Sequence, residues 1–178
     1  MNQVMQQAEC LFTLQAIDES LEQLASQLNQ EYMDKNPVLL CVMNGAVMTM
    51  GHLLPKLQFS LETDYIHATR YGDKTVGGAL HWRAKPNIEL KGRHVLLVDD
   101  IYDEGVTLAA LRKFCQQAGA TSVKAVVLAD KQHTNKHGPQ PEYIGLQIPD
   151  RYVFGFGMDY KGYLRNAPGI YAVQENAS

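Results

Sequence analysis

Val95-Leu96-Leu97-Val98-Asp99-Asp100-Ile101-Tyr102-Asp103-Glu104-Gly105-Val106-Thr107 is the stretch on which the fold turns. From His94 the chain runs apolar through Val98, as a strand must when both faces of a parallel sheet are covered. That run passes directly into two adjacent carboxylates and a turn containing Gly105. Leu108, Leu111, Cys115 and Ala118 then recur on one helical face, which Gly119 ends. The succession of strand, acidic turn and helix gathers acids and backbone donors at one crevice. Two neighbouring carboxylates accept hydrogen bonds from vicinal ribose hydroxyls or hold a hydrated magnesium ion. The N–H groups from about Glu104 to Leu108, with the Thr107 hydroxyl, suit a terminal phosphate. Taken singly, Asp99 and Asp100 could merely end a strand and Thr107 cap a helix; the argument rests on the whole string in order.

Working outward, Leu21, Leu24, Ala25, Leu28 and Tyr32 repeat at helical spacing, which predicts a helix from Asp18 to about Tyr32 with Asp18 as its cap. Pro37 opens the apolar run Val38 to Met43, a second buried strand ending at Asn44-Gly45, with a helix expected after it to about Leu57. Between Arg70 and Gly92 glycine, proline and lysine recur too densely for regular structure throughout, so a long, partly mobile loop of lid type is expected there. Val123 to Ala129 is a further apolar run. Strands alternating with helices define an α/β protein with right-handed crossovers and an open, mostly parallel sheet, whose ligands sit beyond the carboxyl ends of the strands.

The 178 residues are 46% hydrophobic, enough for one core, and residues 1–178 read as a single domain. A formal net charge of −3 offers no broad attraction to nucleic acid or anionic lipid, which directs attention to a small-molecule partner and away from nucleic acid and membrane. Three widely spaced cysteines, Cys10, Cys41 and Cys115, suit reduced thiols. With no signal-like N-terminal pattern and no membrane-length apolar stretch, the expected location is cytoplasmic. His133 and His137 stand four apart, but Asn135, Gly138 and Pro139 oppose the helix that would align them on zinc. The remaining histidines, with Met48, Met50 and Trp82, read as packing or surface residues.

The string from Val95 to Thr107 resembles the phosphoribosyl pyrophosphate signature of type I phosphoribosyltransferases. Met43-Asn44-Gly45-Ala46 resembles the pyrophosphate loop of the purine-salvage members, and Tyr71-Gly72 the start of their mobile lid. Leu128 to Lys131, Ile148 to Tyr160 and Arg165 are similar to the purine-recognition segments of hypoxanthine-guanine phosphoribosyltransferases. By themselves, Tyr152, Val153, Phe154 and Phe156 could be an aromatic core strand, Lys131 a solvated charge and Arg165 a surface ion-pair partner.

The resemblance implies a type I phosphoribosyltransferase fold with a small hood and a mobile lid loop, and transfer of the 5-phosphoribosyl group to a 6-oxopurine with magnesium as cofactor. It implies Asp103 as the catalytic proton-transfer residue at purine N7. Asp99, Asp100, Glu104, Gly105, Val106, Thr107, Asn44, Gly45 and Arg165 would bind phosphoribosyl pyrophosphate. Lys131, Tyr152, Val153, Met158 and Asp159 would bind the purine, Lys131 by donating to the oxygen at C6 and Tyr152 by stacking. Arg70, Tyr71 and Gly72 would belong to the lid, and Asp99, Asp100 and Asp159 would hold magnesium. A homodimer or homotetramer is implied as well.

Several positions depart from the family pattern. Glu104 and Val106 replace a hydroxyl residue and a polar or basic one, Asp99 stands for the commoner Glu, and Asn44 for a basic residue, with Arg70 as the cation moved to the other loop. A xanthine-preferring enzyme, and a nucleic-acid-binding regulator on the same fold, are the competing readings.

Overall fold

The computed structural model describes residues 2–70 and 80–174. In chain order the elements are α1 (Asn2–Gln7), β1 (Glu9–Thr13), α2 (Leu14–Tyr32), β2 (Val38–Val42), α3 (Val47–Leu53), a 3-10 turn (Leu54–Lys56), β3 (Glu62–Arg70), β4 (Leu80–Ala84), β5 (His94–Tyr102), α4 (Val106–Gln117), β6 (Ser122–Gln132), β7 (Tyr143–Pro149), β8 (Val153–Phe154) and β9 (Gly169–Ala172). The principal sheet runs β4-β3-β2-β5-β6-β7 and is parallel except for the β3–β4 pair. Its chain order reverses between β2, whose successor lies on one side, and β5, which lies on the other. The crevice beyond those two strands is therefore the topological switch point.

Val95, Leu96, Leu97 and Val98 are each 0% exposed, so residues pointing to both faces of β5 are sealed from water. The covering helices follow from their apolar stripes. On α2, Ile17, Leu21, Leu24, Ala25, Leu28 and Tyr32 turn inward against β6, β7 and α3, while α4 packs on β3, β5 and β6. Thr13, and not Asp18, caps α2: its Oγ1 accepts from Ala16 N–H at 3.3 Å, and the helix begins one turn earlier than its apolar spacing suggests. The early residues Leu14 to Ala16 are largely solvent-facing, so no periodicity marks them.

A second, three-stranded antiparallel sheet, β1-β9-β8, joins the two ends of the chain into the hood. Its strands are short and β1 is mostly exposed, which leaves little sequence signal.

The reading of residues 70–92 as a loop is corrected in part. Leu80–Ala84 is a strand that pairs with the end of β3, and the Trp82 ring packs on Phe114 of α4 with centroids 4.7 Å apart. Asp64 fixes the return, its carboxylate accepting from the backbone N–H groups of Asn87 and Ile88 at 2.6 and 3.1 Å. Tyr71, Gly72 and the rest of residues 71–79 lie outside the described residues, as does the Arg70 side chain. The strand β3 itself, with Ile66 and Ala68 buried, has too few large apolar residues for the sequence to declare it.

One ion pair, buried on its arginine side, ties the helix behind the acidic turn to the sheet. Arg112 of α4, 7% exposed, meets both carboxylate oxygens of Glu142 at 2.8 and 2.6 Å, and Ala125 N–H donates to the same carboxylate at 2.8 Å. Burial pushes the Glu142 carboxyl up, but the Arg112 and Ala125 bonds outweigh it and hold the group below its ordinary range. Removing Glu142 leaves the buried guanidinium without its counter-charge, facing the Val123 and Gln140 carbonyl oxygens. Glu142→Ala is expected to lower unfolding free energy by about 3 kcal/mol in urea titration, against well under about 1 kcal/mol for Lys35→Ala, whose partner Glu31 is an i,i+4 surface neighbour.

Candidate active site

At the carboxyl end of β5 the chain leaves the sheet with Asp99 and Asp100 half-buried, side by side. Asp99 Oδ1 accepts from Asp100 N–H at 3.0 Å. Burial, then the neighbouring Asp100 charge, pushes the Asp99 carboxyl well above its usual range; burial also raises Asp100, opposed by hydrogen bonds from the Asp99 side chain and the Ile101 main chain and then by the Arg165 charge. Ile101 and Tyr102 continue the strand, Asp103 and Glu104 turn, and Gly105 sits at φ +81 as the residue before α4. A side chain there would be strained, and its Cβ would lie 2.4 Å from the Tyr102 ring.

The opposite wall comes from the turn after β2, where the Met43–Asn44 peptide is cis. A Cβ on Gly45 would fall 1.9 Å from Asp100 Oδ2, so only glycine lets this loop approach the acids so closely. Together these segments line a cleft of about 280 Å³ containing Asn44, Gly45, Asp99, Asp100, Asp103, Glu104, Gly105, Thr107 and Arg165. Val106 projects to solvent at the start of α4 and takes no part in the lining. Glu104 turns toward Asn135, whose Nδ2 is 3.5 Å from Oε1, while its main-chain oxygen accepts from His137 N–H at 2.6 Å.

Adjoining the cleft is a pocket of about 190 Å³ formed by Asp100, Ile101, Asp103, Lys131, Tyr152, Val153, Met158 and Asp159. Tyr152 is 52% exposed and offers a ring face, whereas its neighbours Phe154 and Phe156 are fully buried, so the core reading holds for those two phenylalanines and fails for Tyr152. Lys131 Nζ is 3.0 Å from Asp103 Oδ2. Arg165 pairs with Asp159 at 2.7 Å and donates to Gly157 O at 2.7 Å. The structure thus brings every described candidate except Val106, and the uncharacterised side chain of Arg70, to two contiguous hollows.

His133 is the functional neighbour that sequence reasoning missed. Weighed only as half of a zinc pair with His137 and set aside, it lies with Nε2 2.7 Å from Asp103 Oδ1. Its position two residues beyond Lys131 on the segment leaving β6 was the available signal; without the fold, nothing connected it to a carboxylate thirty positions earlier. Burial raises the Asp103 carboxyl, but the bonds from Lys131 and then His133 more than offset this and set it below the ordinary range. Among the described residues no three His, Cys, Asp or Glu side chains gather as a metal cluster, and no helix is long and apolar enough to cross a membrane.

Such a site, acids and a glycine turn at the switch point of a parallel sheet beneath a small hood, has known counterparts. Residues 7–161 match the family described as the phosphoribosyl transferase domain. The hypoxanthine-guanine-xanthine phosphoribosyltransferase of Tritrichomonas foetus is 38% identical over 93% of this chain and 91% of its own. The hypoxanthine-guanine phosphoribosyltransferase of Bacillus subtilis is 32% identical over 90% and 89%. A solved hypoxanthine phosphoribosyltransferase from Staphylococcus aureus superposes with a TM-score of 0.91 at 29% identity, covering 98% of this chain and 96% of the other. The chain belongs to the phosphoribosyltransferase family, in its hypoxanthine-guanine branch.

The crowded acids carry a stability cost that can be read directly. A carboxyl whose folded pKa is raised destabilises the fold once pH exceeds that value, and ceases to do so below its unfolded pKa, where both states are protonated. Asp99→Asn, studied without divalent metal, is therefore expected to raise the melting temperature under mildly alkaline conditions, the gain shrinking as pH falls toward the ordinary carboxylate range.

Proposed function

We propose that the protein transfers the 5-phosphoribosyl group of phosphoribosyl pyrophosphate to hypoxanthine or guanine, giving IMP or GMP and pyrophosphate. The observation that carries this reading is the adjacency of the two hollows, one acidic with a glycine turn leading into a helix, the other a pocket bearing Lys131 and Asp103 beside the exposed Tyr152. Names and sequence likeness of the relatives support it independently.

In this reading the backbone N–H groups at the start of α4 and the Thr107 hydroxyl hold the 5′-phosphate, an anion at a helix N-terminus. Asp99 and Asp100 orient the ribose through its hydroxyls. Tyr152 stacks on the base, the main chain at Val153 meets its edge, and Met158 closes the side of the pocket. Lys131 donates to the C6 oxygen, which selects against adenine: an amino group there would face a cation with no acceptor to offer. Asp103 accepts the proton from N7 as N9 attacks the ribose.

Asp99 and Asp100 fit a divalent cation. They are hard oxygen donors whose charge the protein leaves crowded, and magnesium takes one or two carboxylates together with substrate oxygens and water. Bound there, magnesium supplies charge neutralisation for the leaving pyrophosphate. Arg165 also serves the pyrophosphate; in turning to it, Arg165 releases Asp159, which becomes available as a further oxygen ligand. Asn44 and Gly45 line the pyrophosphate side with main-chain groups. Arg70, Tyr71 and Gly72 belong to the lid in this proposal, which excludes water from the activated sugar. A single domain in the cytoplasm, assembled as a homodimer or homotetramer, completes the reading; family membership supports the assembly, and three free cysteines suit a reducing compartment.

The test is magnesium-dependent consumption of phosphoribosyl pyrophosphate with hypoxanthine, guanine, xanthine and adenine offered separately. Turnover is expected with hypoxanthine and guanine and not with adenine, and Asp103→Asn is expected to cut kcat about a hundredfold. Turnover of xanthine alone would replace the proposed substrate pair, and absence of turnover with every base would overturn the reading.

A further inference from the structure

The Asp103 carboxylate is held from two sides. Lys131 Nζ donates to Oδ2 at 3.0 Å, and His133 Nε2 lies 2.7 Å from Oδ1. The second ring nitrogen settles the direction of that bond. Nδ1 accepts from Asn135 N–H at 3.1 Å, so the neutral ring carries its proton on Nε2 and donates it to Asp103. The histidine is itself held, because the segment that bears it is clasped onto the acidic turn. Lys136 Nζ donates to Tyr102 O and to Asp130 Oδ1, both at 2.9 Å, and His137 N–H donates to Glu104 O at 2.6 Å.

We propose that His133 is a positioning residue for Asp103, fixing Oδ1 through its Nε2–H while Oδ2 is handed over from Lys131 to the purine N7 proton. The inference rests on the reading of Asp103 as proton acceptor and Lys131 as donor to the C6 oxygen. Before the base arrives, Lys131 occupies the carboxylate oxygen that must later take a proton. As Lys131 turns to the base, Oδ2 loses its donor, and a carboxylate with no second anchor rotates about its terminal torsion. His133 is that anchor, leaving the plane of the carboxylate and the Oδ2 lone pair directed into the base pocket. The N7–H bond then breaks with its electron pair left on the ring, the proton passes to Oδ2, and N9 bonds to C1′. The C1′–O bond breaks as this happens, its electrons leaving with pyrophosphate.

The titratable groups facing Asp103 are Lys131 and His133 from β6 and the segment beyond it, with Asp100 and Asp159 across the same pocket and Glu104 next in the chain. Among these, Lys131 and His133 hold the carboxylate in its anionic form. After Lys131 turns away, His133 alone continues to do so.

The variants His133→Phe, which keeps a ring of similar size without a donor, and His133→Gln, which keeps an N–H donor, test this beside Asp103→Asn. For His133→Phe the expected result is about a tenfold loss in kcat, with KM for phosphoribosyl pyrophosphate unchanged and the acidic limb of the kcat profile moved to higher pH. His133→Gln is expected to recover most of the kcat and to return the limb toward its original position. Wild-type kcat and an unmoved acidic limb in His133→Phe, alongside a disabled Asp103→Asn, would overturn the role of His133 alone. Full activity in Asp103→Asn would overturn the reading of Asp103 and this inference with it.

Discussion

Everything in the molecule depends on β5 being hydrogen-bonded between β2 and β6 with its apolar residues sealed on both faces. A strand so enclosed cannot slip by one residue without driving Asp99 into the core or Val98 out of it. The register fixes where the chain leaves the sheet, and with it where three carboxylates emerge. Because β2 ends beside β5 and the chain order reverses between them, the loops after both strands face one crevice.

That arrangement concentrates negative charge in a place where burial already opposes ionisation. Asp99 and Asp100 bear the penalty, while the Arg112–Glu142 pair anchors α4 to the sheet. For Asp103 the same penalty is more than offset, since Lys131 and His133 meet its two oxygens. Two neighbouring sets of acids are thus given opposite proton affinities by their surroundings. One set is suited to sugar hydroxyls and cations, the other to receiving a proton from a base.

The clasp between residues 133–137 and the acidic turn links the two hollows mechanically. Glu104, which stands where a phosphate donor is expected, is drawn toward Asn135 and His137. Lys136 caps the end of β5 at the Tyr102 oxygen. Phosphate turn and base pocket consequently share a support, and the geometry of one is tied to that of the other.

The sequence by itself determined the buried strands β2 and β5, the helix behind the acidic turn and the residue types of the site, because continuous apolar runs and paired carboxylates are local signals that need no partner to be read. It also separated the family, through the order of Met43 to Ala46, Asp99 to Thr107, Lys131 and Tyr152. Only the tertiary structure decided what depends on contacts between distant segments. Thr13 took the cap from Asp18 because capping is a matter of backbone geometry. Leu80–Ala84 became a strand because β3 supplied an edge for it and Phe114 a surface for Trp82. Tyr152 faced solvent while Phe154 was buried, and His133, weighed only as half of a zinc pair, came to the side of Asp103. Apart from the Thr13 cap, whose partner Ala16 is three residues on, the deciding partner lies far away in the chain, where no pattern of spacing can register it.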